Sequence, residues 1–215
     1  HRVLKSTGSL YLHCDPTMSH YLKILLDLIF GNNNHINELC WKRTTIHNDS
    51  KQGAKHFGRI HDVILFYVKS KADYQFQMVF SQYTPEYIKS TYNKTDKNGR
   101  KFKTSDLSAA KPGGDTSYQW KGISPPPGRY WAYSKENMLK FEKEDRIYYS
   151  STKRPYLKQY LDEMPGVPVQ DIWDDINPIS AKAAERLGYP TQKPVALLER
   201  IIQASSNEGD LVLDP

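Results

Sequence analysis

The stretch that decides the fold is residues 185–215, ERLGYPTQKPVALLERIIQASSNEGDLVLDP. Pro194 suits the first turn of a helix, because the N–H that proline lacks would have no partner there. Apolar residues then recur on one helical face at Val195, Leu198 and Ile202. Residues 207–210 predict a turn, and the apolar residues 211–213 predict a short buried strand that ends at an acid. A helix, a turn and such a strand indicate an open α/β sheet, whose ligands bind beyond the carboxyl ends of strands.

The beginning of the chain shows a second unit of the same kind. Residues 10–14 predict a strand, residues 15–17 a polar turn, and the following helix has an apolar face at Leu22, Leu25, Leu26 and Ile29. Residues 37–42 and 62–68 predict two further strands, and their spacing allows an antiparallel hairpin with a long connection. Together these patterns predict a mixed α/β protein.

Composition restricts the class of protein. The chain has 215 residues, of which 38% are hydrophobic and 25% charged, as in soluble globular proteins. It contains no apolar run of the ~20 residues that a membrane span needs, and no visible signal peptide. Cys14 and Cys40 lack metal-ligand spacing, so we predict no metal site. We expect reduced thiols and a cytoplasmic location.

Positive charge is concentrated in residues 85–160. This segment holds 16 Lys and Arg residues against 8 Asp and Glu, a difference of +8, and it contains 9 of the 15 tyrosines. Cations can neutralise phosphates and aromatic rings can stack on bases, so the pattern indicates a nucleic-acid partner. The alternative is that Tyr118, Trp120, Tyr130 and Trp131 form the core of a small β module, and both interpretations can hold for different residues.

Two motifs resemble those of a known family. Residues 188–194 (GYPTQKP), an apolar helix and residues 209–215 (GDLVLDP) are similar, in this order, to the amino DNA methyltransferases of the β arrangement. In that family the first motif is the tenth conserved motif, and the second begins the first motif; both form the pocket for S-adenosylmethionine. The resemblance implies the following cofactor-binding residues: Thr191, Gln192, Lys193, Asp214 and Pro215. Lys193 is the implied partner of the cofactor carboxylate.

The rest of the chain resembles the same family. Residues 7–17 correspond to the strand that follows the catalytic one, which implies that His13 and Asp15 line the target-base pocket. Residues 118–131 carry Tyr-x-Trp-x-Gly and Pro-Pro-x-Gly-Arg-x-Trp, as in the target-recognition region of a subgroup. The expected DNA-binding residues are Arg59, Lys101, Lys121, Arg129 and Trp131, the last two nearest the bases.

The fold class that we predict is α/β: part of a Rossmann-like, S-adenosylmethionine-dependent methyltransferase sheet with an inserted α+β target-recognition region. Residues 1–70 are expected to form the second half of the core. Residues 71–170 are expected to bind DNA. Residues 171–215 are expected to return to the core with the cofactor-pocket helix and the first strand. We expect this sheet to have open edges, which favour a homo-oligomer.

The implied activity is methyl transfer from S-adenosylmethionine to the exocyclic amine of adenine or cytosine in double-stranded DNA, with a restriction nuclease as a candidate partner. No catalytic residue is predicted, because the family's Asp/Asn/Ser-Pro-Pro-Tyr/Phe motif does not occur; residues 124–127 (SPPP) lack its aromatic position. The glycine loop of the first motif is also absent, so we expect the 215 residues to be inactive alone. The alternatives are a non-catalytic DNA-binding module and an RNA-binding protein.

Overall fold

A computed structural model describes residues 1–46, 53–180, 182–189 and 191–214. The chain forms two compact units, residues 1–81 with 168–215, and residues 82–167. The helices are α1 (Ser19–Phe30), α2 (Pro85–Thr91), α3 (Lys135–Lys143) and α4 (Val195–Ser205). The strands are β1 (Ser9–Cys14), β2 (His35–Lys42), β3 (His61–Val68), β4 (Phe80–Ser81), β5 (Lys94–Thr95), β6 (Lys101–Asp106), β7 (Ser108–Ala109), β8 (Tyr130–Trp131), β9 (Ile147–Tyr149), β10 (Pro155–Tyr160), β11 (Val167–Pro168) and β12 (Ile172–Trp173). The mixed α/β class is therefore confirmed.

The first unit is built on a four-stranded sheet with the order β1-β3-β2-β12. Strand β3 runs antiparallel to both β1 and β2, while β12 runs parallel to β2. The predicted hairpin of β2 and β3 is confirmed, with Cys40 opposite Val63. Because β3 lies antiparallel between them, β1 and β2 point the same way, and α1 connects them.

Strand β3 carries the core because both of its faces are covered. Val63, Leu65 and Tyr67 face α1 and form one cluster with its Leu26 and Phe30. Since alternate residues of a strand point to opposite faces, Ile64 lies on the other side. There it packs in a second cluster with these residues: Leu39, Trp41, Trp173, Ile176 and Leu197 of α4. Burial of each such apolar side chain contributes roughly 1.5–3 kcal/mol, so helices on both faces stabilise the sheet.

The strand predicted at residues 211–213 does not form, and this prediction is wrong. Residues 211–214 make no strand pairing, and Leu211 is 92% and Leu213 73% exposed. An apolar run becomes a strand only where a neighbouring strand satisfies its N–H and C=O groups. The fourth strand of the sheet is instead β12, whose pairing partner is β2.

The second unit contains a four-stranded antiparallel sheet with the order β5-β6-β10-β9, and a two-stranded pair of β7 and β8. The turn at Asn98-Gly99 joins β5 to β6; Gly99 has a φ of 80°, and Asp96 accepts from the N–H groups of Asn98 and Arg100 at 2.9 Å. Ser134 caps α3 by accepting from the N–H of Asn137. The core of this unit consists of Leu107, Trp120, Trp131, Met138, Ile147 and Leu157.

None of the helices in the described part of the chain is long and apolar enough to cross a membrane.

Candidate functional site

The carboxyl end of β1 holds a polar cluster in the first unit. The Nε2 of His13 lies 2.9 Å from Oδ2 of Asp62, which is 8% exposed at the start of β3. The Nε of Arg43 lies 3.1 Å from the other carboxylate oxygen of Asp62, without the alignment of a hydrogen bond. The His13 ring also meets the edge of Trp41, with ring centres 5.7 Å apart. Asp62 therefore fixes the orientation of the imidazole, and Arg43 balances its charge.

His13 is held in its neutral form at pH 7. Burial lowers the pKa of His13; the hydrogen bond to Asp62 opposes this change, and the positive charge of Lys193 adds to it. A neutral imidazole keeps one ring nitrogen as an acceptor. The Trp41 ring that meets His13 packs in one cluster with Leu197 of α4. The start of α4, which directly follows the GYPTQKP motif, therefore lies near the carboxyl end of β1.

The segment before α4 is organised by Gln192 and Glu185. The Nε2 of Gln192 donates to the Glu185 carbonyl at 2.6 Å, and its Oε1 accepts from the N–H of Leu187 at 2.8 Å. The carboxylate of Glu185 accepts from the N–H of Val195 at 3.0 Å and so satisfies one free N–H group of the first helical turn. Both polar groups of the Gln192 side chain are used within this loop, so Gln192 shapes the loop through these bonds.

The remaining predicted cofactor residues have different surroundings. Lys193 is half-buried and donates to the carbonyl of Thr191, which is exposed, at 2.8 Å. Asp214 is exposed, and no contact within the described residues joins it to Lys193. Pro215 lies outside the described residues. The structure therefore supports one charged group, Lys193, at this position.

Asp15 serves the start of α1. Its Oδ1 accepts from the N–H of Thr17 at 2.8 Å and from the N–H of Met18 at 3.2 Å. The hydrogen bonds from Thr17 lower the pKa of this exposed carboxyl, and the charge of Arg59 adds to the effect. Arg59 is itself exposed. These contacts give Asp15 a role in the turn before α1, whose first residue is Ser19, which the sequence analysis did not predict.

In the second unit, Trp131 belongs to the core, and the prediction that it lies near the bases is wrong for this conformation. Its side chain is 1% exposed, and its Nε1 donates to the Tyr118 carbonyl at 2.8 Å. Trp120 is 2% exposed and likewise belongs to the core of a small β module, the alternative given in the sequence analysis. An indole that is fully enclosed by apolar neighbours has no face on which a base could stack.

The predicted cations of the second unit differ in how they are used. The guanidinium of Arg129 donates to Oγ of Ser108 at 2.7 Å and to its carbonyl at 2.9 Å, so it ties β8 to β7. The ammonium of Lys121 pairs with Glu142. Lys101 is exposed and makes no ion pair with any described residue. Of these three, Lys101 is the cation that is most available to a polyanion.

Sequence reasoning missed the cation–aromatic contacts on the sheet of the second unit. Lys94 lies over Tyr148 at 5.7 Å, and the guanidinium of Arg154 lies over Tyr156 at 5.4 Å from the ring centre. It also missed Asp62, Arg43 and Glu185. The strand pairing that brings these groups together is long-range, so the local pattern gave no signal for them.

Comparison with known proteins identifies the family of the chain. The DNA methylase family matches residues 1–215. The chain is 34% identical to the Type II methyltransferase M.EcaI of Enterobacter cloacae, over 99% of the chain and 46% of that protein. It is 26% identical to the StyLTI Mod subunit of a Type III restriction-modification enzyme of Salmonella typhimurium, over 99% of the chain and 34% of that protein.

A third relative is the DNA adenine methyltransferase YhdJ of Escherichia coli, 27% identical over 100% of the chain and 51% of that protein. The chain thus spans about half the length, or less, of these curated relatives. The family match nevertheless extends over the whole chain, residues 1–215. The chain therefore belongs to the DNA methylase family.

Proposed function

We propose that the intact protein transfers a methyl group from S-adenosylmethionine to the exocyclic amine of adenine, or of cytosine, in double-stranded DNA. The observation that carries this proposal is the packing of α4, which follows the expected cofactor segment, against Trp41 beside His13 of the expected base pocket, in a chain that the family model matches throughout. The first unit is then part of a Rossmann-like methyltransferase sheet, and the second unit is its target-recognition region.

Part of a cofactor site fits the residues present. Lys193 has a carbonyl as its hydrogen-bond partner and no carboxylate among the described residues, so its charge is available to the carboxylate of an amino-acid group. Gln192 and Glu185 hold the loop that positions Lys193. S-adenosylmethionine would supply the methyl group, while Lys193 would bind and orient its charged end. Thr191 and Asp214 are proposed as further cofactor contacts.

The target base has to leave the helical stack before its amine can be reached. His13, held neutral and oriented by Asp62, would line the pocket that receives the base. A neutral ring nitrogen can accept from a base edge without adding charge to the pocket. Asp15 would contribute by fixing the turn at the carboxyl end of β1.

The DNA partner is supported by the second unit, whose sheet interleaves cations with aromatic rings. Lys101 and Arg59 are proposed phosphate contacts because both are exposed cations. Lys121 and Arg129 would reach DNA only by exchanging their present partners. A restriction nuclease is a proposed partner of the intact protein, as one of its relatives is named as the Mod subunit of a Type III restriction-modification enzyme.

Cofactor binding tests the proposal. In the intact protein, Lys193→Gln should weaken equilibrium binding of S-adenosylmethionine roughly tenfold, because a charge-assisted hydrogen bond is lost. Lys182→Gln, an exposed cation ahead of the same loop, is the matched control and should leave the affinity unchanged. Equal affinities for wild type and Lys193→Gln would show that this segment does not bind the cofactor.

A further inference from the structure

An open hollow of about 570 Å³ lies in the second unit, beside α2 and the β5–β6 hairpin. Pro85 and Ile88 give it an apolar wall, Lys89 and Lys101 contribute cations, and Tyr92, Asn93 and Thr95 complete the lining. Thr95 stands directly opposite Lys101 in the pairing of β5 with β6. The volume lies within the ~300–1,000 Å³ of most small-ligand sites.

The charges around this hollow are unbalanced. Neither Lys89 nor Lys101 forms an ion pair with a described residue, and none of the residues that line the hollow is acidic. A third cation, Lys103, lies 5.4 Å from the centre of the Tyr92 ring. Other cations of the same sheet are paired, such as Arg100 with Asp162 at 2.7 Å. The hollow is therefore a place where positive charge remains available to an anion.

We propose that this hollow binds one nucleotide of the DNA strand, with the phosphate held by Lys89 and Lys101 and the sugar or base against Ile88 and Pro85. The inference rests on the proposed function, since it assigns a place on the recognition unit to the DNA partner. Lys89 and Lys101 are positioned by α2 and β6 to hold the same phosphate.

The lysines are tested by the salt dependence of duplex binding, measured with the whole 215-residue chain and a labelled duplex of mixed sequence. The double variant Lys89→Gln, Lys101→Gln should lower the slope of log affinity against log salt by about two counterion units. The control Lys135→Gln, Lys140→Gln removes two exposed cations from α3 and should leave the slope unchanged. Equal slopes for wild type and the first variant, or equal losses in both variants, would overturn the proposal.

Titration with free deoxyadenosine monophosphate distinguishes a nucleotide of the DNA strand from a free mononucleotide as the occupant of the hollow. If wild type binds duplex and the Lys89→Gln, Lys101→Gln variant binds it with the same salt slope, the inference fails while the proposed DNA binding stands. If wild type binds no duplex, the proposed DNA binding fails, and the inference with it. Millimolar mononucleotide should shift the Ile88 methyl resonance weakly. Micromolar binding of the mononucleotide, with duplex affinity independent of Lys89 and Lys101, would identify a free-nucleotide site and overturn the assignment to DNA.

Discussion

Replacing Trp131 by phenylalanine separates a core role from a DNA-binding role for this residue. The change removes the second ring of a side chain that is 1% exposed, together with the hydrogen bond from its Nε1 to the Tyr118 carbonyl. The lost apolar burial costs about 1 kcal/mol. The Tyr118 carbonyl, left without its partner, costs about 1–3 kcal/mol more.

The second unit should therefore lose about 2–4 kcal/mol of stability and unfold roughly 10–30 °C earlier. The two units need not unfold together, so a signal from the second unit is required. Hydrogen exchange of the Ala132 amide, which donates to the Leu107 carbonyl at 2.7 Å beside Trp131, provides that signal. Its protection should fall by the same free energy.

The matched control is Trp173→Phe in the first unit, where the indole is 5% exposed and donates to the Gln170 carbonyl at 2.8 Å. It should leave the protection of Ala132 unchanged. Duplex affinity of Trp131→Phe, measured well below its melting temperature, should stay within about twofold of wild type because the indole touches no DNA. Unchanged protection together with lost affinity would refute the core assignment.

Three further outcomes are expected. Lys193→Gln should raise the NMR titration midpoint of His13, because it removes a positive charge that disfavours the imidazolium. The control Lys182→Gln should leave this midpoint unchanged. Equal His13 midpoints in wild type and Lys193→Gln would contradict the proximity of Lys193 to His13. Burial lowers the pKa values of His13 and His35 in the folded protein below their value of about 6.5 in the unfolded chain. At a pH between the folded and the unfolded pKa values, the unfolded chain therefore binds more protons than the folded protein. Stability should thus be fully present above the unfolded value and fall as the pH falls from 7 to 5, and a flat profile in denaturant titrations would refute this. The outer edge of β1 has no partner strand among the described residues, so sedimentation should show concentration-dependent self-association of the 215-residue chain; a monomer at high concentration, with residues 210–214 protected from exchange, would argue against it.

Local patterns predicted the elements whose periodicity agrees with their packing. Strand β3 is apolar on both faces and is buried on both, and α4 begins directly after Pro194 as its proline predicted. The apolar face of α1 was predicted less well: Leu26 is buried, but Leu25 is 50% and Ile29 48% exposed. The apolar stripe of a helix shows which residues can be buried. The width of the sheet against which the helix packs decides which of them are buried.

The features that sequence reasoning missed depend on distant partners. Residues 211–213 are as apolar as many strands, yet no described strand pairs with them. Trp131 resembles a stacking residue by its position beside Arg129 and becomes a core residue through contacts with three other elements. Asp62 reads as the polar start of a strand, and its role follows from the His13 side chain, 49 positions away. Each outcome is set by tertiary pairing, which a single sequence does not display.

Transfer of tritiated methyl groups from S-adenosylmethionine to mixed-sequence duplex DNA tests the central claim most directly. The intact protein should label DNA above the no-enzyme background, with the label in N6-methyladenine or N4-methylcytosine after digestion, and Lys193→Gln should reduce the initial rate at limiting cofactor. The 215-residue chain alone should label nothing, because its sequence contains neither the Pro-Pro-Tyr/Phe motif nor the glycine loop. Absence of label with the intact protein, or labelling by the 215-residue chain, would contradict the account.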